Sequence, residues 1–308
     1  MPVSAADAFR ATEARVRASY GLEVREQWID VADPAVRVRV QVSGEGPPVV
    51  FLNGVGSPGM GMAPLVERIA GCQVLIVDLP GHGLAPAYPW SGPPVRELAV
   101  GVLSGLLDGL GLPSASLVAN SLGGMFALWL ALDASDRVPS IVVVGEPGIA
   151  FPGARGNAVM GALTTPGLGR LAQWGMTRPA PRRSVRNGLA QIMGQAAAAH
   201  MSDDLVDLYA MSLRIPGQAA SFRSLLRRLL RGRQPRPENV LTDAELDRLG
   251  RPLFFVWGTD DALLSPQDGA ASVQKIHGAG LEVVPGGHTP WFDDIERCAE
   301  LVQLGLTA

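Results

Sequence analysis

The segment VANSLGGMFALWL (118–130) has an apolar strand running through Ala119-Asn120-Ser121-Leu122-Gly123-Gly124 into a helix. A serine at such a turn is forced into a strained backbone conformation, tolerated only where the residues two places to either side are small. Here those residues are Ala119 and Gly123. The strain lifts the hydroxyl out of the sheet, and the helix that follows aims N–H groups and its positive dipole end at the site. Ser121 is thus a candidate nucleophile. The plain alternative is a serine that merely caps a helix.

A serine nucleophile needs a base, and the base needs an acid to orient it. LFFVWGTDDALLSP (253–266) puts acids just past an apolar strand, and LEVVPGGHTPWF (281–292) puts His288 just past the next. If these strands run parallel, both loops open at the same sheet edge as Ser121. The other histidines have weaker contexts: His82 in the Gly/Pro-rich turn DLPGHGLAP, His200 in an alanine-rich stretch, and His277 at a helix end. A structural role is expected for all three.

The elements that would position these groups alternate along the chain. VRVRVQV (36–42) alternates apolar and polar residues, as a half-buried antiparallel strand does, and EQWIDV (26–31) is its expected partner. VVFLN (49–53), VLIVD (74–78), SLVAN (116–120), IVVVG (141–145), LFFVW (253–257) and LEVVP (281–285) are short continuous apolar runs. Such runs predict strands covered on both faces by helices, hence a mostly parallel sheet. Helical patterns lie near 62–70, 94–110, 122–133, 266–277 and 291–305. The fold class is α/β: a doubly wound, mostly parallel sheet of the eight-stranded type flanked by helices.

The alternation breaks between residue 146 and about residue 248, where no strand is expected. Met160, Met176, Met193, Met201 and Met211, Gly/Pro clusters and the helical spacing of Leu205, Leu208, Tyr209 and Ser212 fall here. This predicts a helical cap, residues 148–247, inserted into a core of 1–147 and 248–308. It would lie over the carboxyl edge of the sheet, where open α/β sheets place their sites. A methionine-rich face adapts to an apolar ligand. In 223–236, Leu225, Leu226, Leu229 and Leu230 would share one helix face, with Arg223, Arg227, Arg228 and Arg231 on or beside the other. The favoured expectation is a solvated basic face. Phosphate or membrane-surface binding is the alternative.

Composition excludes other chemistries. The 308 residues are 47% apolar and 18% charged, with net charge −3; the low charge and acidic balance speak against nucleic acid as a partner. Cys72 and Cys298 form no pair motif, and four scattered histidines offer no metal-ligand spacing. No metal and no cofactor are therefore expected. Lys275 is the only lysine, which argues against Schiff-base or P-loop chemistry. The N-terminus has acids early and no apolar core of a signal peptide, so a cytoplasmic location is expected. The uncharged stretch 109–132 contains Pro113, Asn120 and several glycines, and reads as loop, strand, turn and helix rather than as a membrane span. No stable membrane association is expected, and oligomeric state is left open.

Taken together, FLNGVG (51–56), DLPGHG (78–83), ANSLGG (119–124), WGTDD (257–261) and GGH (286–288) resemble the α/β-hydrolase superfamily. Each pattern is weak alone, but five in the right order, each after an expected strand, are specific. The resemblance implies Ser121 as nucleophile, His288 as base and Asp261 as acid. In the family the acid stands three residues after the glycine of its loop, which selects Asp261 over Asp260. Glu146, after IVVVG, stands where some relatives place the acid instead. The oxyanion hole would use the backbone N–H groups of Leu122 and Val55. Relatives usually carry His-Gly where this chain has Asn53-Gly54, which changes the hydrogen-bond support beneath that site loop. The implied chemistry is acyl transfer through a covalent acyl-enzyme, with a small-to-medium apolar carboxylic ester as the first substrate reading. Carbon–carbon cleavage of ring-fission products is the second, and thioester hydrolysis or a cyclisation the third. A ligand receptor of the same fold is the non-enzymatic alternative.

Overall fold

A computed structural model describes residues 4–250 and 252–307. The chain opens with α1 (Ala5–Ser19), β1 (Arg25–Val31), β2 (Val36–Ser43), β3 (Pro48–Leu52), α2 (Ala63–Val66), β4 (Gln73–Asp78) and α3 (Val95–Gly109). It continues with β5 (Ser116–Ala119), α4 (Leu122–Asp133) and β6 (Ile141–Val144). Then come α5 (Ala158–Thr164), α6 (Leu168–Met176), α7 (Arg182–Met193), α8 (Gln195–His200), α9 (Asp203–Ser212) and α10 (Gln218–Leu229). The hairpin β7 (Leu230–Arg231) and β8 (Gln234–Pro235), α11 (Asp243–Arg248), β9 (Leu253–Gly258), α12 (Pro266–Val273), β10 (Gly280–Val284) and α13 (Ile295–Thr307) complete it.

Eight strands form one sheet in the order β1-β2-β4-β3-β5-β6-β9-β10. β1–β2 and β2–β4 are antiparallel, and every other pairing is parallel. The registers Leu52↔Ala119, Val144↔Val256 and Val284↔Gly258 bring the carboxyl ends of β3, β5, β6, β9 and β10 to one edge. The continuous apolar runs explain the central strands, since β3, β5, β6 and β9 are buried almost throughout. α4 is apolar all round, and every residue from Leu122 to Leu132 is buried. This accounts for the long uncharged stretch before Asp133. Among the described residues no helix is long and apolar enough to cross a membrane.

Several expectations are corrected. β2 is not half-buried: Arg39 and Gln41 on its polar side are buried beneath α1. Arg39 donates to Glu13 at 2.6 and 2.8 Å, to Glu26 at 2.7 Å and to Asp78 at 2.9 Å, and Gln41 donates to Glu13 at 3.1 Å. An ion cluster thus replaces solvent on that face. β10 is not covered on both faces, because it is the edge strand and exposes Glu282 and Val283. The 62–70 helix shrinks to α2, preceded by the 3-10 turn Gly59–Met62. The segment expected to lack strands contains the short β7–β8 hairpin, and α10 ends at Leu229, before Leu230. The arginines of 223–236 are not simply a solvated face. Arg223 donates to Leu163 O, Arg228 to Trp90 O and Pro93 O, Arg233 to Gly156 O, and Arg236 to Arg227 O. Carbonyl oxygens in loops and in the last turns of α5 and α10 take up these guanidinium groups.

Candidate active site

Ser121 follows β5 with φ 51° and ψ −120°, the positive-φ backbone that the strand-to-helix turn demands. Such a conformation costs about 1–3 kcal/mol in a non-glycine residue. The crowding that requires small neighbours is visible: a Cβ on Gly123 would lie 2.5 Å from Leu52 O. Gly123 N donates to Asn120 O at 2.9 Å and Asn53 O at 3.2 Å, which closes the elbow against β3. A Cβ on Gly54 would stand 3.2 Å from Ser121 Cβ, so the site loop packs directly beside the serine.

The loops after β9 and β10 bring Asp261 to His288. His288 Nδ1 donates to Asp261 Oδ2 at 2.9 Å, and both residues are buried. Asp261 Oδ2 also accepts from Glu146 N at 2.9 Å, and Oδ1 accepts from Leu263 N at 3.0 Å. Three donors therefore fix the carboxylate plane. Nδ1 being engaged, Nε2 is the ring atom left for a proton, and it is buried without a partner. Ser121 Oγ makes no hydrogen bond to it in this structure. Catalytic hydrogen bonds often tighten only when substrate is bound. Burial pulls the His288 pKa down, but the charge of Asp261 and its hydrogen bond prevail and hold it above the usual 6.5.

Asp260 and Glu146 sit differently. Asp260 is exposed and accepts from Thr259 Oγ1. Glu146 is buried, accepts from Ile149 N at 2.7 Å through Oε1, and has no partner at Oε2. Burial first, and then the charge of Asp261, push its pKa up to about 8. Its backbone touches the acid, while its side chain forms no hydrogen bond to His288. His82 is buried with Nδ1 3.1 Å from Pro80 O, whereas His200 and His277 are exposed.

Ser121, Leu122 and Val55 line one small cavity together with Gly148, Met160 and Leu226. Among the described residues the N–H groups of Leu122 and Val55 donate to no protein acceptor. Asn53 is buried, and its side-chain amide donates to Ser57 O, bracing the site loop from within. A second cavity of about 220 Å³ shares Val55 and Met160 with the first and runs between α5, α6, α7 and α9. Met176 and Met193 also line it, while Met201 packs in the core. No group of three potential metal ligands occurs among the described residues.

Sequence reasoning missed the role of Asn120. Its Nδ2 donates to Val144 O at 2.7 Å and to His288 O at 3.1 Å. Its position between an apolar strand and the elbow serine was the available signal. Gly145 was missed as well: at φ 84° its Cβ would meet His288 O at 2.3 Å.

Comparison with known proteins gives the family of the chain. A family model described as "Alpha/beta hydrolase family" matches residues 49–301. Pimeloyl-[acyl-carrier protein] methyl ester esterase of Xanthomonas oryzae pv. oryzae is 29% identical over 283 residues, spanning 86% of this chain and 97% of that protein. A 2-hydroxy-6-oxononadienedioate/2-hydroxy-6-oxononatrienedioate hydrolase of Paraburkholderia phymatum is 26% identical, spanning 90% of this chain and 93% of its own. Carboxylesterase CesB of Bacillus subtilis superposes with a TM-score of 0.74 at 18% identity over 99% of both chains, a likeness of fold.

Proposed function

Because this chain belongs to the alpha/beta hydrolase family, we propose that its hydrolytic chemistry is carried by Ser121, His288 and Asp261, acting on a carboxylic ester. The observation that carries this reading is His288 itself, with Nδ1 fixed by Asp261 and Nε2 buried and unpartnered. Ser121 Oγ attacks the ester carbonyl carbon while His288 Nε2 takes its proton. The carboxylate of Asp261 offsets the charge of the imidazolium that forms. The N–H groups of Leu122 and Val55 receive the developing oxyanion, the first at the N-terminus of α4. Collapse expels the alcohol, which takes the proton from His288. Water, deprotonated by the same nitrogen, then attacks the acyl carbon, and Ser121 Oγ leaves with that proton as the acid is released.

Residues 148–247 serve in this reading as the cap, with α5, α6, α7 and α9 supplying the apolar walls in which the substrate sits. An ester is the first choice since the chemistry needs no group beyond those named. Carbon–carbon hydrolysis of ring-fission products, the second reading, would use the same serine. A panel of nitrophenyl esters, acyl thioesters and vinylogous diketones tests the choice. Turnover of esters at least tenfold above the diketones by kcat/KM is expected. The reverse ranking would move the assignment to carbon–carbon cleavage.

A further inference from the structure

The 220 Å³ cavity is walled mostly by uncharged groups, among them Met160, Ile192, Met193, Leu213 and Phe222. Its only two charged lining residues are Arg178 and Arg214, and no acid accompanies them. Among the described residues several other arginines of this region are occupied, although Arg170 and Arg183, which do not line the cavity, are not. Arg182 and Arg186 pair with Asp203 and Asp207, and Arg223, Arg228 and Arg233 donate to carbonyl oxygens. Among the described residues, the side chains of Arg178 and Arg214 form no ion pair or hydrogen bond. Arg178 stacks over the Trp174 ring at 4.6 Å. Arg214 is half-buried, and its Nε is sealed from solvent without an acceptor. Leaving a buried N–H donor without an acceptor is costly. An anion entering this cavity would remove that cost.

We propose that the cavity selects an ester carrying an anionic group, a carboxylate or phosphate, at the far end of an apolar chain, with Arg214 as its partner and Arg178 as a second cation. The inference rests on Ser121 as the reacting group. The cavity at Ser121 and the larger one adjoin at Val55 and Met160, and in this proposal one substrate reaches from the first into the second. The ester carbonyl lies at Ser121, the chain runs along the methionines, and the anion meets the guanidinium groups. Binding energy from this remote contact would position the ester for attack.

Calorimetry on the full-length Ser121→Ala protein tests this without depending on turnover. The probes are monomethyl suberate, an anion at neutral pH, dimethyl suberate, its neutral counterpart, and an alkyl phosphate of matched length. The expected result is at least tenfold tighter binding of the half-ester than of the diester. Adding Arg214→Met should collapse that preference to within about threefold, and Arg214→Lys should retain part of it. A tighter alkyl phosphate would support the proposal and assign phosphate as the anionic group. Equal binding of half-ester and diester, no binding of any probe, or a preference that survives both Arg214→Met and Arg178→Met would overturn it. Failure of the esterase reading would show separately, as no ester turnover by the unaltered enzyme.

Discussion

Asn120 holds His288 in place: its side-chain amide donates to the backbone carbonyl of His288 at 3.1 Å, from a position next to the elbow serine in the chain. The same amide donates to Val144 at the end of β6. One buried residue therefore ties the turn carrying Ser121 to the loop carrying His288, through the strand that lies between β5 and β9.

Asn120→Ala is expected to strand two buried carbonyl oxygens, at a cost of about 1–3 kcal/mol. Because the His288 loop loses its tether, kcat should fall on the order of 10-fold with KM changed less. Denaturant unfolding and steady-state kinetics on one ester check both parts. A variant with unaltered kcat would show that the tether does not position the base.

The acid limb of kcat/KM reports His288, whose pKa lies above 6.5 in the folded protein. His288 must be neutral to accept a proton, so activity is expected to rise with pH through a midpoint above 6.5. Asp261→Asn removes the charge that raises this pKa and leaves burial, which lowers it. The midpoint should shift to lower pH while kcat falls on the order of 10²-fold or more. Glu146→Gln and Asp260→Asn should cost far less. A larger kcat loss at Glu146 than at Asp261, with both variants folded, would move the acid to the end of β6.

Glu146 makes a stability prediction of its own. Its folded pKa is raised to about 8 from 4.5, so between these values the unfolded chain releases a proton that the folded chain keeps. That opposes folding by up to about 1.4 kcal/mol per pH unit. Glu146→Gln removes the effect. Its stability relative to the unaltered protein should therefore increase from pH 5 to pH 8 and level off above. Urea unfolding at pH 5, 6.5 and 8 measures the difference, and a pH-independent difference would contradict the raised pKa.

The Arg39 cluster supports the site from below. Asp78, one of its acids, also accepts from Gly59 N at 2.8 Å and Leu84 N at 3.1 Å, holding the turns after β3 and β4. Arg39→Met would leave Glu13 and Asp78 buried without their cation, at about 3–5 kcal/mol. A loss below about 1 kcal/mol in urea unfolding would show that the cluster contributes little.

The fold was legible where hydrophobic pattern decides it. The six apolar runs became parallel or edge strands, and the uncharged stretch before Asp133 became β5 and α4, because burial on all sides leaves no room for a charge. α1 was not read, since it buries only Phe9 and Val16 as large apolar residues and its other anchor is an acid, Glu13, whose partner is 26 residues away on β2. The meeting of Asp261 with His288 could be anticipated from strand direction. The unpaired Arg214 could not, because being unpaired depends on every element around the residue. The arginines of 223–236 illustrate the same limit: a helical wheel places them on a polar face, while the carbonyl oxygens that Arg223, Arg228 and Arg233 meet belong to other segments.

Ser121 is the centre of the account, and a fluorophosphonate probe tests it most directly. The unaltered protein should take up one equivalent of label on the peptide containing Ser121. Ser121→Ala should take up none and lose turnover of the best ester on the order of 10³-fold or more, with its fold intact. Label on another residue, or unaltered turnover in Ser121→Ala, would contradict the assignment of Ser121 as the nucleophile.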